Sequence, residues 1–241
     1  MNKTQQSRSL AASLRHSQNN VYTIKPATAR PHLDGQWDSP IWQAAETAHI
    51  AWFHPMSSDH HPDARARVLY SDEGLHIIFR VLDRYVRSIT TDYMGPVYKD
   101  ACVEFFVQPR AGKGYFNFEM NCGGTLLLSY VTEVEVEGKK KKNYEEMPWE
   151  YGKQVEVFHS MPKTVEPEHT EAVEWRIEYR IPFGIFEKYL GPLGNVAGQE
   201  WRGNFYKCAE NNSHPHWGAW SPVGEQLNFH QPDKFGVIKF A

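Results

Sequence analysis

Four polar side chains able to form hydrogen bonds fall in two neighbouring segments of alternating polarity. The first segment covers residues 98–109 (YKDACVEFFVQP) and the second covers residues 114–124 (GYFNFEMNCGG). Successive side chains of a strand point to opposite faces, so the alternation predicts one core face and one polar face. The residues concerned are Glu104, Asn117, Glu119 and Asn121. Carboxylates and amides at fixed spacing on a sheet suit a ligand rich in hydroxyl groups, which predicts a saccharide.

The element that must position these side chains is a β-hairpin. Residues 110–114 (RAGKG) form a short linker with two glycines between the two segments. Such a linker predicts a tight connection, so that the segments pair as adjacent antiparallel strands. This pairing would bring Glu104 close to the three polar residues of the second strand.

Composition and charge restrict the class of protein and its partners. The chain has 241 residues, of which 41% are hydrophobic, and its formal net charge is -3. This charge provides no general attraction to nucleic acid or to an acidic membrane surface, and no apolar run is long enough for a transmembrane helix. We therefore expect neither nucleic acid nor membrane as a partner, and the oligomeric state is left open.

The chain divides into a tail and one domain. Residues 1–20 are rich in Ser, Gln and Asn and lack the apolar segment of a secretory signal, so we expect a disordered tail. Residues 21–241 contain no internal linker and are expected to fold as one domain. The missing signal favours a cytoplasmic location, while a secreted or periplasmic location is the alternative because most glycan-binding modules act outside the cell.

Short strands separated by turns dominate residues 21–241. Residues 64–70 and 75–82 predict a hairpin, residues 172–181 alternate strictly, and residues 183–190 predict a short helix before Gly191. Many short strands with almost no helix predict an all-β, two-layer antiparallel β-sandwich of the immunoglobulin-like or jelly-roll type with one or two short helices. The run of lysines at residues 139–142 is expected to form a solvated loop tip.

Several residues could bind a metal ion. Asp34 and Asp38 lie in a turn and are candidate calcium ligands, although Asp in a turn more often bonds its own backbone. Two histidine-rich loops, at residues 54–61 and 214–230, could together hold a transition metal, but scattered surface histidines are the favoured interpretation. The three cysteines cannot all pair within the chain and are expected to be reduced, with a Cys102–Cys122 disulfide as the alternative.

Motifs along most of the domain resemble those of the family 9 carbohydrate-binding modules. These motifs are LDGQW at 33–37, IW at 41–42, DEGL at 72–75, residues 98–107 and PDKFG at 232–236. The resemblance implies a β-sandwich, commonly with structural calcium, that holds the end of an oligosaccharide or polysaccharide between two aromatic rings. It also implies a non-catalytic protein, which would act as a free lectin-like subunit.

The resemblance also implies which residues contact the sugar. One aromatic ring would be Tyr98, with Glu104 and Asn121 as hydrogen-bonding residues. The second ring would be Phe229, with Gln226 as a nearby amide. Both rings are usually Trp in this family, and the second strand usually has Arg where this chain has Glu119.

Two alternatives from other functional classes remain open. Glu104 and Glu119 could form the carboxylate pair of a glycoside-cleaving enzyme, which would release new reducing ends from oligosaccharides. Some sandwich proteins bind haem, and Met94 or Met120 with a His or Lys could supply axial ligands, which a Soret band would reveal.

Overall fold

The computed structural model of the chain describes residues 20–241. The predicted tail, residues 1–20, lies outside the described residues except for Asn20. Within residues 20–241 no helix has both the length and the apolar content needed to cross a membrane. The described chain is built mainly from β-strands, as the alternating segments predict.

Sixteen strands and a few short helices make up the described chain. The strands are Val21–Pro26 (β1), Ala48–Ile50 (β2), Trp52–Phe53 (β3), Asp63–Tyr70 (β4), Gly74–Asp83 (β5), Val86–Ser88 (β6), Cys102–Gln108 (β7), Tyr115–Asn121 (β8), Leu126–Val136 (β9), Lys139–Glu146 (β10), Glu156–His159 (β11), Val165–His169 (β12), Val173–Pro182 (β13), Glu200–Ala209 (β14), His216–Ala219 (β15) and Gly236–Phe240 (β16). The α-helices are Pro40–Gln43 (α1), Trp149–Gly152 (α2) and Phe183–Leu190 (α3), and Val97–Lys99 and Pro232–Lys234 form 3₁₀ turns.

The strands form two layers joined by β1. One layer has the order β10-β9-β8-β7-β14-β16, and the other has the order β4-β5-β13-β11. The first four residues of β1 pair with β16 and its last two pair with β4, so that β1 belongs to both layers. Both pairings of β1 are parallel, whereas the pairs within the two layers are antiparallel. The predicted two-layer β-sandwich is therefore confirmed, with β1 as a parallel exception.

Aromatic rings from both layers fill the core between them. Phe79 of β5 contacts Phe205 of β14 with ring centroids 6.2 Å apart, and Phe105 of β7 stacks on Phe205 at 4.9 Å. Leu75, Ile77 and Val81, which the alternation of β5 directs inward, are buried in the same cluster. The apolar residues of these alternating strands face the core between the layers, which explains the period of two in the sequence.

The four lysines at 139–142 do not form a loop tip, and that prediction is wrong. They lie in β10, which pairs only with β9 among residues 20–241 and is therefore an edge strand of the described sheet. The turn is made earlier by Glu137 and Gly138, which have φ values of 54° and 72°. Two consecutive residues with positive φ form the tight hairpin turn that fits the twist of paired strands. The lysines therefore cover the exposed edge of the sheet, where positive charge discourages pairing with another chain.

Candidate functional site

The predicted polar face lies on the outer surface of the first layer. In the paired register Glu104 of β7 lies directly opposite Glu119 of β8, and Tyr206 of β14 lies on the other side of Glu104. Directly opposite residues of antiparallel strands point to the same face. The two carboxylates therefore share one side of the sheet, while Phe105 and Phe118 point into the core on the other.

This outer face forms the floor of a cavity of about 440 Å³. That volume falls in the range of roughly 300–1,000 Å³ typical of small-molecule sites. The aromatic residues that line it are Tyr98, Phe106, Tyr144, Trp217 and Phe229. The polar residues that line it include Glu104, Asn117, Glu119, Ser129, Glu146, Glu210 and Asn228. The cavity combines apolar rings with several hydrogen-bonding groups, which is the composition that a sugar requires.

Five of the seven residues predicted to contact sugar meet at this cavity, and they come from four different segments. Tyr98 lies in the 3₁₀ turn Val97–Lys99, Glu104 lies on β7, Asn117 and Glu119 lie on β8, and Phe229 lies in the loop before β16. The ring of Phe229 stacks on that of Tyr206 at a centroid distance of 4.0 Å. Strand pairing therefore brings together residues that are far apart in sequence.

Asn121 and Gln226 lie outside the residues that line the cavity. The side chain of Asn121 is fully buried, and its Nδ2 donates to Thr90 O at 2.8 Å and to Asp100 Oδ2 at 2.9 Å. Its Oδ1 accepts a hydrogen bond from Thr125 N at 2.9 Å. These bonds organise the loop after β8, and the contact of Asn121 with sugar stays a prediction. Gln226 is exposed.

The two carboxylates on the cavity floor are almost completely buried. Glu104 is 2% exposed and Glu119 is 4% exposed. Burial raises the pKa of Glu104 well above its usual range, and the neighbouring Cys208 and Glu119 raise it further. Burial also raises the pKa of Glu119, although a hydrogen bond of 2.7 Å from Asn117 Nδ2 opposes this shift. A charge here is costly, so the pair gains from protonation or from a ligand that supplies positive charge.

A thiol pair lies beside Glu104. The donor atoms of Cys102, Glu104 and Cys208 are all within 4.8 Å of one another, and the thiol of Cys208 donates to Glu104 Oε1 at 3.1 Å. Burial raises the pKa of Cys102 to about 12, and the contact with Cys102 together with burial raises the pKa of Cys208. In this arrangement the thiol of Cys208 serves as a hydrogen-bond donor to Glu104. All three cysteines of the described chain are free.

In residues 20–241, Asp34 and Asp38 belong to no group of three His, Cys, Asp or Glu side chains whose ligand atoms lie within 4.8 Å of one another. Asp34 Oδ1 accepts a hydrogen bond from Gln36 N at 3.0 Å, which is the local turn bond expected of Asp. The backbone carbonyl of Asp38 accepts a hydrogen bond from Gln43 Nε2 at 2.8 Å. Structural calcium at these two residues remains a prediction.

The histidine-rich loops meet, but around a buried ion pair. His216 Nε2 accepts a hydrogen bond from Lys207 Nζ at 2.8 Å, and His60 Nε2 lies 2.8 Å from Asp83 Oδ1. Lys207 Nζ lies 3.4 Å from Asp83 Oδ2, and both side chains are almost fully buried. Burial, followed by the charge of Lys207, lowers the pKa of His216 to about 3. This network links β14 of one layer to β5 of the other.

The two methionines proposed for haem occupy different places. Met120 is buried in the core, whereas Met94 lines the cavity and its Sδ accepts a hydrogen bond from Leu128 N at 3.2 Å. Of the two, Met94 alone lies where a ligand of this cavity would contact it.

Several residues of the cavity were not identified from the sequence. Trp217 follows the two closely spaced histidines of the segment His-Pro-His-Trp at 214–217. It lies opposite Cys208 in the register of β15 with β14. Tyr144 and Glu146 lie on edge strand β10, and Glu210 follows β14 directly. The sequence shows only that Trp217 is an aromatic residue in a segment rich in His and Pro. Its place in the cavity depends on the pairing of β15 with β14, which alternation does not reveal.

Comparisons with solved structures point to carbohydrate-binding proteins. A Bacteroides uniformis protein to which carbohydrate binding has been ascribed is 26% identical, with a TM-score of 0.77 over 93% of this chain and 100% of its own. A family 9 carbohydrate-binding module of Caldicellulosiruptor kristjanssonii, solved with cellotriose, is 15% identical and has a TM-score of 0.60 over 92% of this chain and 93% of its own. The structure of such a module from the same organism with glucose gives the same identity and TM-score, and the match covers 91% of this chain and 95% of the module. At this lower identity the likeness shows the fold alone.

Family assignment follows from a match that covers most of the domain. No curated protein matches the chain significantly. The model of carbohydrate-binding family 9, in contrast, matches residues 41–240, which include every strand that forms the cavity. The chain therefore belongs to carbohydrate-binding family 9.

Proposed function

We propose that this protein binds a sugar unit, such as the end of a glycan, in the cavity on the outer face of β7 and β8, without cleaving it. The observation that carries this proposal is the meeting of Tyr98, Trp217 and Phe229 with Glu104 and Glu119 in one cavity. Family membership and the sugar complexes of a structural neighbour support the same ligand class.

The two kinds of cavity residue match the two kinds of sugar surface. A pyranose exposes C–H groups on its faces, which pack on aromatic rings, and hydroxyl groups at its edge, which need hydrogen-bonding partners. Phe229 is held by its stacking on Tyr206, so its ring is oriented before a ligand arrives. Asn117 is oriented by its bonds to Glu119 and to Ser129 N. Such preorganisation lowers the entropy lost on binding.

Calorimetry with a panel of neutral and charged mono- and oligosaccharides, including glucose and cellotriose, tests this proposal. We expect saturable binding that Phe229→Ala weakens at least tenfold, because the variant removes one aromatic wall. Trp149→Ala is the matched control, since Trp149 is 59% exposed and does not line the cavity. Failure of every sugar in the panel to bind would contradict the proposal.

The opposed carboxylates support a second candidate function, glycoside cleavage. Glu104 and Glu119 are directly opposite each other, and such pairs have Cβ atoms about 4.5–5.5 Å apart. Glycosidases use two carboxyl groups that flank the bond to be cleaved, and here two carboxyl groups line one cavity. Release of new reducing ends from an oligosaccharide, lost in Glu104→Gln, would establish catalysis and overturn the non-catalytic proposal.

A further inference from the structure

The ionisable side chains that line the cavity are mainly carboxyl groups. Four glutamates line it, and no lysine or arginine of residues 20–241 does. They are Glu104, Glu119, Glu146 and Glu210. Its one histidine, His230, has a pKa lowered by burial and by Lys142 to about 4, so it is neutral near pH 7. The protein thus provides carboxylates without an opposing cation at the site.

The two deepest carboxylates keep unused hydrogen-bonding capacity. Glu104 accepts the thiol of Cys208 through Oε1, and Glu119 accepts Asn117 Nδ2 through Oε1. Within the described chain neither Oε2 atom has a hydrogen-bond partner, although both residues are more than nine-tenths buried and line the cavity. A buried carboxylate is stabilised by a partner that donates hydrogen bonds and carries positive charge.

The lysines nearest to these groups are engaged elsewhere. Lys207 points to the opposite side of the sheet, where its Nζ contacts His216 and Asp83. Lys142 pairs with Glu133 at 2.9 Å on the edge strands. The positive charge that the carboxylates lack must therefore come from the ligand or from a proton.

The aromatic walls also suit a cation. Tyr98, Trp217 and Phe229 surround the same space, and the indole N–H of Trp217 is held by Glu210 Oε1 at 3.3 Å. The face of an aromatic ring attracts a nearby ammonium group, and this attraction strengthens when water is excluded. The aromatic rings and the carboxylates together form a site for a ligand that has both an ammonium group and an apolar ring face.

We propose that the preferred ligand is a sugar with a free, protonated amino group, such as an unacetylated amino sugar. This inference rests on the proposed function and specifies its ligand. The ammonium group donates to the free oxygens of Glu104 and Glu119, and the ring of the sugar packs on the aromatic walls. An N-acetylated sugar carries no charge at this position, and a uronic acid adds a negative charge that meets no lysine or arginine of residues 20–241 in the cavity lining.

Calorimetry at pH 7 with EDTA present compares four monosaccharides of similar size: glucosamine, glucose, N-acetylglucosamine and glucuronic acid. The chelator keeps adventitious metal ions from the Cys102, Glu104 and Cys208 cluster. We expect glucosamine to bind at least tenfold more tightly than glucose, and glucuronic acid to bind most weakly. Higher salt should weaken the binding of glucosamine more than the binding of glucose, because only glucosamine is charged.

Two variants separate charge from shape. Glu119→Gln keeps the side-chain volume and removes one carboxylate, so the affinity for glucosamine should fall about tenfold more than the affinity for glucose. Glu135→Gln is the matched control, because Glu135 is exposed and does not line this cavity.

The outcomes distinguish the two proposals. Glucose binding as tightly as glucosamine would overturn the amino-sugar inference and leave carbohydrate binding intact. No binding of any sugar, including the oligosaccharides, would overturn both. An unchanged preference in Glu119→Gln would also contradict the assignment of the ammonium group to this carboxylate.

Discussion

Glu104 and Glu119 lie directly opposite each other on β7 and β8, both almost completely buried on the floor of one cavity. Like charges in opposed positions of a sheet destabilise it, and burial adds a desolvation cost to each. The pair therefore stores an unfavourable interaction that protonation or a cationic ligand relieves. Binding sites commonly hold such perturbed groups.

Stability should depend on pH through Glu119. Its pKa is raised to about 7 by burial, against roughly 4.3 in an unfolded chain. Between these values the folded state binds more protons than the unfolded state, so the stabilising contribution is complete below about pH 4 and is lost as pH rises through 7. Relative to Glu119→Gln, the free energy of unfolding of the wild type should fall by on the order of 3 kcal/mol across this window.

Urea denaturation at pH 5, 6, 7 and 8 measures this difference. Gln can still accept the hydrogen bond from Asn117, so the comparison isolates the ionisation. If the free energies of unfolding of the wild type and Glu119→Gln differed by the same amount at all four pH values, Glu119 would have the same affinity for protons in the folded and unfolded states.

Sugar binding should change tryptophan fluorescence through Trp217, which lines the cavity. A ligand that displaces water from its indole ring alters the emission of that residue. We expect the signal to be lost in Trp217→Phe, with weaker binding by calorimetry, and to persist in Trp149→Phe, whose residue lies outside the cavity. Persistence of the full signal in Trp217→Phe would place the ligand elsewhere.

Removal of Lys207 should destabilise the sandwich strongly. The charge of Lys207 and the hydrogen bond from His60 outweigh burial and hold the pKa of Asp83 well below its usual range. Lys207→Met leaves Asp83 as a buried charge without its cation, which costs about 3–5 kcal/mol. Urea unfolding should show this loss, and the double variant Lys207→Met/Asp83→Asn should lose less than the sum of the single variants.

An exposed ion pair provides the control for this experiment. Arg65 and Asp63 are 2.6 Å apart with side chains 37% and 42% exposed. Arg65→Met should change stability by less than about 1 kcal/mol. If Lys207→Met and Arg65→Met lowered the free energy of unfolding equally, the buried ion pair would contribute no more to stability than the exposed one.

The lysines of β10 should keep the protein from associating through its sheet edge. Replacing all four lysines at 139–142 with Thr preserves β propensity but removes the charge, so edge-to-edge dimers should appear in light scattering at high protein concentration. Replacing the four with Arg keeps the charge and should leave the oligomeric state as in the wild type. A Thr variant that behaves like the Arg variant would show that charge at this edge has no protective role.

Alternation in sequence predicts which side of a strand faces the core between the layers. The inward residues of β5 and the hairpin of β7 and β8 follow from it, because a core on one side of a sheet forces a period of two. The strand β10 has no such signal, since both of its faces are largely exposed and four lysines leave no apolar period. Its turn was nevertheless encoded locally by Gly138.

The cavity could be predicted only in part. Glu104, Asn117 and Glu119 follow from alternation, which identifies the face of the sheet that a side chain occupies. Asn121 satisfies the same pattern, but the loop after β8 covers it, and alternation carries no information about covering loops. Trp217 reaches the cavity through the pairing of β15 with β14, a relationship between segments that a local pattern cannot contain.

The parallel contact between β1 and β16 constrains the order in which the protein can assemble. Ile24 is paired with Phe240, so β1 cannot complete its main-chain hydrogen bonds until β16 has been synthesised. Folding during synthesis can complete the hairpins in between, but the seam that closes both layers forms only after residues 236–240 have left the exit tunnel.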